Sequence, residues 1–106
     1  MGSVVIKANA SLSGAIEIGR DTLLSIRMPS SWTAANLSFQ GSTAIDGTFN
    51  DIYDSAGNEL VAIASTSRII VDIPELAGIP FLKIRSGTTA AAVVQGGDRT
   101  IDVLVK

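Results

Sequence analysis

Apolar residues recur at every second position along nearly the whole chain, in runs too short for helices and separated by turn-forming residues. Val4, Ile6 and Ala8 alternate with Val5 and Lys7, Ile16 and Ile18 flank Glu17, and Leu24, Ile26 and Met28 alternate with Ser25 and Arg27. Successive side chains of a β-strand point to opposite faces, so this period predicts strands with one face buried and one solvated. Further runs are Leu37-Ser38-Phe39-Gln40, then Ile69, Val71 and Ile73, then Leu82 and Ile84, and last Ile101, Val103 and Val105 among Thr100, Asp102 and Lys106. Between Phe49 and Asp54 the pattern breaks, because Asp51 shares a face with Phe49 and Tyr53; a bulge or a sheet edge is expected there.

Turn chemistry fills the gaps. Asp54-Ser55-Ala56-Gly57-Asn58-Glu59 and Asp46-Gly47 carry hairpin signals, and Pro29, Pro74 and Pro80 fall at strand ends, where a missing N–H does least harm. Helical patterning is nearly absent, although Pro74-Glu75-Leu76-Ala77-Gly78 has room for one turn. With 106 residues the chain is expected to be one domain, 1–106, burying roughly 60–70% of its unfolded surface. Many short strands at close spacing predict an all-β fold, a single antiparallel β-sandwich with the jelly roll as the preferred topology. Val4, Ile6, Leu24, Ile26, Leu37, Phe39, Ile69, Val71, Leu82, Ile84, Ile101 and Val103 are assigned inward.

The sequence has no histidine and no cysteine. Imidazole bases, imidazole and thiolate metal ligands and thiolate nucleophiles are therefore unavailable, no disulfide frame exists, and no enzyme activity or cofactor is expected. Serines are plentiful but lack a histidine base, and a Ser–Lys dyad through Lys7, Lys83 or Lys106 would need a coincidence of folding. Asp46, Asp51, Asp54 and Glu59 offer hard oxygen ligands, yet their spacing fits no calcium loop, and Asx-turns explain them more simply. Gln95-Gly96-Gly97-Asp98-Arg99 leads into a strand, so it lacks the helix N-terminus of a phosphate cradle. A formal net charge of −2 without a basic cluster points away from nucleic acid. No apolar run reaches the length of a membrane span, and Met1 to Lys7 lacks a signal-peptide pattern, so synthesis in a cytoplasm and no membrane partner are expected.

Trp32, the sole tryptophan, lies in a loop, where it either plugs one end of the sandwich or stacks on a sugar; the structural role is preferred. A second feature is the excursion Ser86-Gly87-Thr88-Thr89-Ala90-Ala91-Ala92-Val93-Val94-Gln95-Gly96-Gly97, long, uncharged and rich in methyl groups. Hydrophobic residues make up 46% of the chain and charged ones only 17%, against about 25% charged in soluble domains, so part of the apolar surplus is expected to face a partner. Thr88, Thr89, Ala90, Ala91, Ala92, Val93, Val94 and Gln95, with Val5 and Lys7 of the N-terminal strand, are the candidate contacts.

Ile26-Arg27-Met28-Pro29, Trp32-Thr33-Ala34-Ala35, Leu37-Ser38-Phe39-Gln40, Phe49-Asn50-Asp51-Ile52-Tyr53-Asp54, Phe81-Leu82-Lys83-Ile84-Arg85-Ser86-Gly87-Thr88 and Arg99-Thr100-Ile101 together resemble small virion structural proteins of tailed bacteriophages. The resemblance implies a head decoration, or cement, protein bound to the outside of the capsid, with the major capsid protein and further copies of itself, as dimer or trimer, for partners. It brings no catalytic residue. A carbohydrate-binding module is the main rival, although aromatic residues at 5% of the chain supply few stacking platforms. A tail or fibre subunit is another.

Overall fold

A computed structural model describes residues 2–19, 24–71 and 73–105. Among these residues nine strands follow one another: β1 Gly2–Ile6, β2 Ile16–Glu17, β3 Leu24–Arg27, β4 Leu37–Ser42, β5 Asn50–Asp51, β6 Val61–Ala62, β7 Ile69–Ile70, β8 Phe81–Ser86 and β9 Arg99–Val105. The only helical turn among the described residues is a 3-10 turn at Pro74–Leu76, opened by the proline. No helix among the described residues is long and apolar enough to cross a membrane.

The strands form two antiparallel sheets. One runs β1-β9-β3-β7; the other runs β2-β8-β4-β5, with β6 also pairing β4. Neighbours in sequence thus tend to lie in opposite sheets, and the first strand pairs with the last from Gly2 opposite Val103 to Ile6 opposite Arg99. The longest ladder sets Leu37 to Ser42 of β4 against Ser86 to Phe81 of β8. On one flank the outer strands β1 and β2 approach each other: Gly2 packs so near Ile16 that a Cβ there would lie 2.8 Å from the isoleucine Cδ1. The outer strands of the opposite flank are β5, β6 and β7.

One core fills the space between the sheets. Ile6, Ile26, Leu37, Phe39, Leu82, Ile84, Ile101 and Val103 are fully buried, joined by Val4 and Leu24 from the same alternating pattern and by Leu76 from the 3-10 turn. The expectation fails at β7. Ile69 and Val71, assigned inward, are 56% and 69% exposed, while Ile70 packs on the core and Ile73 is buried. Within β7 the facing is the reverse of the expected one, because Ile70 stands across from the buried Ile26 and must share its face, and Ile73 does not share the exposed face of Ile69 and Val71. The break between Phe49 and Asp54 coincides with a sheet edge: only Asn50–Asp51 forms a strand, and the chain turns back through Tyr53 opposite Glu59. Lys106, placed at the end of the last strand, lies outside the described residues.

Candidate interaction surface

The excursion after β8 is not a free loop. Gly87 and Ala92 form a bridge, the Val93 amide donates to the Ser86 carbonyl at 2.9 Å, and Thr88 and Ala91 exchange backbone bonds across the tip. A short hairpin results, and Gly87 makes it possible. Its φ is +88°, and a Cβ there would lie 2.5 Å from the Ala91 carbonyl oxygen and 2.8 Å from the Val93 nitrogen.

The hairpin is tied to the sheet by an ion cluster. Arg85, Lys83 and Phe81 alternate with the buried Leu82 and Ile84, so they occupy the outer face of β8. The arginine side chain is nevertheless only 9% exposed, because groups from four other segments surround it. Its Nη2 donates to Asp51 Oδ1 at 2.6 Å, and its Nη1 donates to Thr89 Oγ1 at 2.8 Å, Ser38 Oγ at 3.2 Å and Glu59 Oε2 at 3.3 Å. Glu59 then accepts from the Thr89 amide at 3.0 Å and from the Thr89 hydroxyl. Ser38 Oγ donates to the Gly87 carbonyl at 2.7 Å. The Arg85 guanidinium, and next Gln40 Nε2, hold the Asp51 carboxyl below the usual carboxylate range.

At the root of the excursion sits Gln95. Assigned above to the contact surface, it is fully buried and cannot serve there. Its Oε1 accepts from the Thr33 amide at 2.8 Å and Arg99 Nε at 3.2 Å, while its Nε2 donates to Ser86 Oγ at 2.7 Å and the Thr33 carbonyl at 3.0 Å. Its backbone bonds Ala10 and Asn9. This buried amide stitches three segments together, as buried polar groups must find partners.

Thr89, Ala90, Ala91, Ala92 and Val94 remain exposed, with Thr88 and Val93 half-buried, so the hairpin presents methyl groups without a charge among them. Val5, half-buried, and exposed Lys7 belong to the other sheet's strand and its end; Lys7 faces Asp98 at 3.9 Å. Just beyond Lys7, the Asn9 amide donates to the Gln95 carbonyl at the root of the excursion. Trp32 is half-buried against the core, with its indole N–H donated to the Ala35 carbonyl at 3.0 Å. Lys83 lies 4.5 Å from the centroid of the Phe49 ring.

The acidic residues part company. Asp51 and Glu59 serve Arg85, and Asp54 accepts from the Ala56 and Asn58 amides within its turn. Among the described residues no three carboxylates gather as a cation site would require. Two open depressions of about 350 Å³ mark the surface, one beside Ser42, Asn50 and Gly78, the other beside Arg27, Ser67 and Asp102. Neither is lined by an aromatic ring.

Reading the sequence missed the Arg85 cluster. Arg85 occupies an outward phase of its strand and so reads as a solvated cation; its partners are 26 and 34 positions away in the chain. No family model matches this chain, and no curated protein and no solved structure matches it either.

Proposed function

We propose that the chain is a structural protein of a bacteriophage particle, a jelly-roll module that decorates the outer capsid surface and stabilises the head. The strand order supports the topology: β1-β9-β3-β7 and β2-β8-β4-β5 is the order produced when a long antiparallel hairpin is wrapped into two facing sheets. The function is carried by one observation, the uncharged methyl-bearing hairpin at 88–94 tied to the sheet through Thr89 by Arg85 and Glu59. A tip fastened in this way loses less entropy on docking than a free loop, and its small side chains let a neighbouring backbone approach. A glycan-binding reading has less support, since Trp32 spends its N–H within its own loop and both depressions lack a ring to stack on.

Repetition over a capsid lattice turns a modest contact into strong avidity. Quantitative mass spectrometry of purified virions tests the reading: hundreds of copies per particle support capsid decoration, a dozen or fewer point to tail or vertex, and none removes the proposal. Ala91→Glu should fold normally and lose particle binding. If it saturates capsids like the wild type, the hairpin is not the contact.

A further inference from the structure

Among the described lysines and arginines, Lys7 faces Asp98, Arg27 faces Asp102, Arg85 holds Asp51 and Glu59, Lys83 lies near the Phe49 ring, and Arg68 is exposed to water. Arg99 is different. It opens β9 in the phase of the buried Ile101 and Val103 and stands opposite the buried Ile6, so its side chain leaves the strand on the core side, at one end of the sandwich. There it is half-buried, with no carboxylate partner among the described residues.

One nitrogen of the Arg99 guanidinium is fixed: Nε donates to Gln95 Oε1 at 3.2 Å, and that amide is itself held by Thr33 and Ser86. Nη1 and Nη2 have no acceptor among the described residues. The loop before Arg99 leaves this fork uncovered, because a Cβ at Gly97 would lie 3.2 Å from Nη1, and one at Gly96 would lie 3.8 Å from Nη2 and 3.7 Å from Thr33 Oγ1. Neither glycine has a positive φ, so the left-handed backbone that usually calls for glycine is not the reason for them. The Thr33 hydroxyl accepts from the Gly96 amide at 3.2 Å and keeps its own proton to give. The neighbouring Asp98 carboxylate is engaged elsewhere, by the Ala8 amide at 2.9 Å and by Lys7.

We propose that Arg99 anchors a carboxylate-binding site, in which Nη1 and Nη2 bind the two oxygens of one carboxylate and the Thr33 hydroxyl donates beside them. A planar guanidinium fork matches a carboxylate bidentately. One cation balances a monoanion, whereas a phosphate near its doubly charged form would call for more positive charge than this end of the sandwich carries. A half-buried charge without a partner is costly, and a bound anion offsets that cost. The site does not depend on capsid binding, since it lies at the root of the excursion and not on its tip.

Titration of the isotope-labelled full chain with sodium acetate, at ionic strength held constant with sodium chloride, tests the site by nuclear magnetic resonance. The Arg99 Nε–H and the Gly96 and Gly97 amide signals should shift together and saturate with one dissociation constant, and inorganic phosphate should bind no more tightly. Arg99→Gln should abolish the saturable shifts at both glycines. Gly97→Val keeps the charge but sets a branched side chain against Nη1, and it should weaken acetate by about tenfold, the loss of one charge-assisted hydrogen bond. Arg27→Gln should change nothing. Acetate and an acetylated, amidated glutamate distinguish a small acid from an acidic segment, and saturation by either sustains the site. Shifts that do not saturate, that chloride alone reproduces, or that survive Arg99→Gln overturn the proposal, and tighter binding of phosphate overturns the carboxylate assignment. Should circular dichroism show that Arg99→Gln fails to fold, Gly97→Val decides alone.

Discussion

Arg85 Nη2 and Asp51 Oδ1 lie 2.6 Å apart on the outer face of a sheet, the arginine side chain 9% exposed and the aspartate 25%. An outer face is normally wet, where ion pairs contribute little. Here the 88–94 hairpin and the Glu59 turn cover the pair, so one guanidinium holds β8, β5 and two loops at once.

Removing that cation should therefore cost more than a surface pair would. Arg85→Met is expected to destabilise by about 3 kcal/mol in denaturant unfolding, the low end for breaking a buried ion pair, since the carboxylates keep some water. Neutralising the partners as well, with Asp51→Asn and Glu59→Gln, should recover much of the loss. A cost below about 1 kcal/mol would place the cluster with ordinary surface pairs.

Acid should loosen the same cluster. Asp51 has a folded pKa below its ordinary value of 3.8, chiefly through the Arg85 bond, so its contribution is present above that value and is lost as pH falls through the lower, folded one. Unfolding midpoints should drop as pH falls below the ordinary value of 3.8 and through the lower, folded one, and Asp51→Asn should flatten the decline. An unchanged slope in the variant would assign the acid sensitivity elsewhere.

Gly87→Ala should disrupt the hairpin itself. Its φ of +88° and the 2.5 Å approach to the Ala91 oxygen leave no place for a methyl group, and a cost of about 2 kcal/mol is expected. Hydrogen exchange gives the local signature, with lost protection at the Val93 amide, which now bonds Ser86. Retained protection there would show that the turn adapts.

Trp32→Ala should destabilise by about 2–3 kcal/mol, less than the loss of a fully buried tryptophan, because the ring is only half-buried. Chemical denaturation measures it. An effect within error would mean the ring contributes nothing to the core and would free it for a binding role.

Alternation by itself determined the all-β class and most of the core: Val4, Ile6, Leu24, Ile26, Leu37, Phe39, Leu82, Ile84, Ile101 and Val103 are all buried. A period of two specifies a face as long as polar residues mark the other one. At Ile69-Ile70-Val71 every residue is apolar, so the local pattern has no phase, and only pairing with Ile26 decided which side faces inward. Gln95 and Arg85 belong to the same class of problem. Their types and positions suggest solvent, and each is buried because partners distant in sequence close over it: Thr33 and Ser86 around the amide, Asp51, Glu59 and Thr89 around the guanidinium. Periodicity reports the average environment of a strand face, whereas the burial of a polar side chain depends on which other segments the topology brings to that face, and that was settled only in three dimensions.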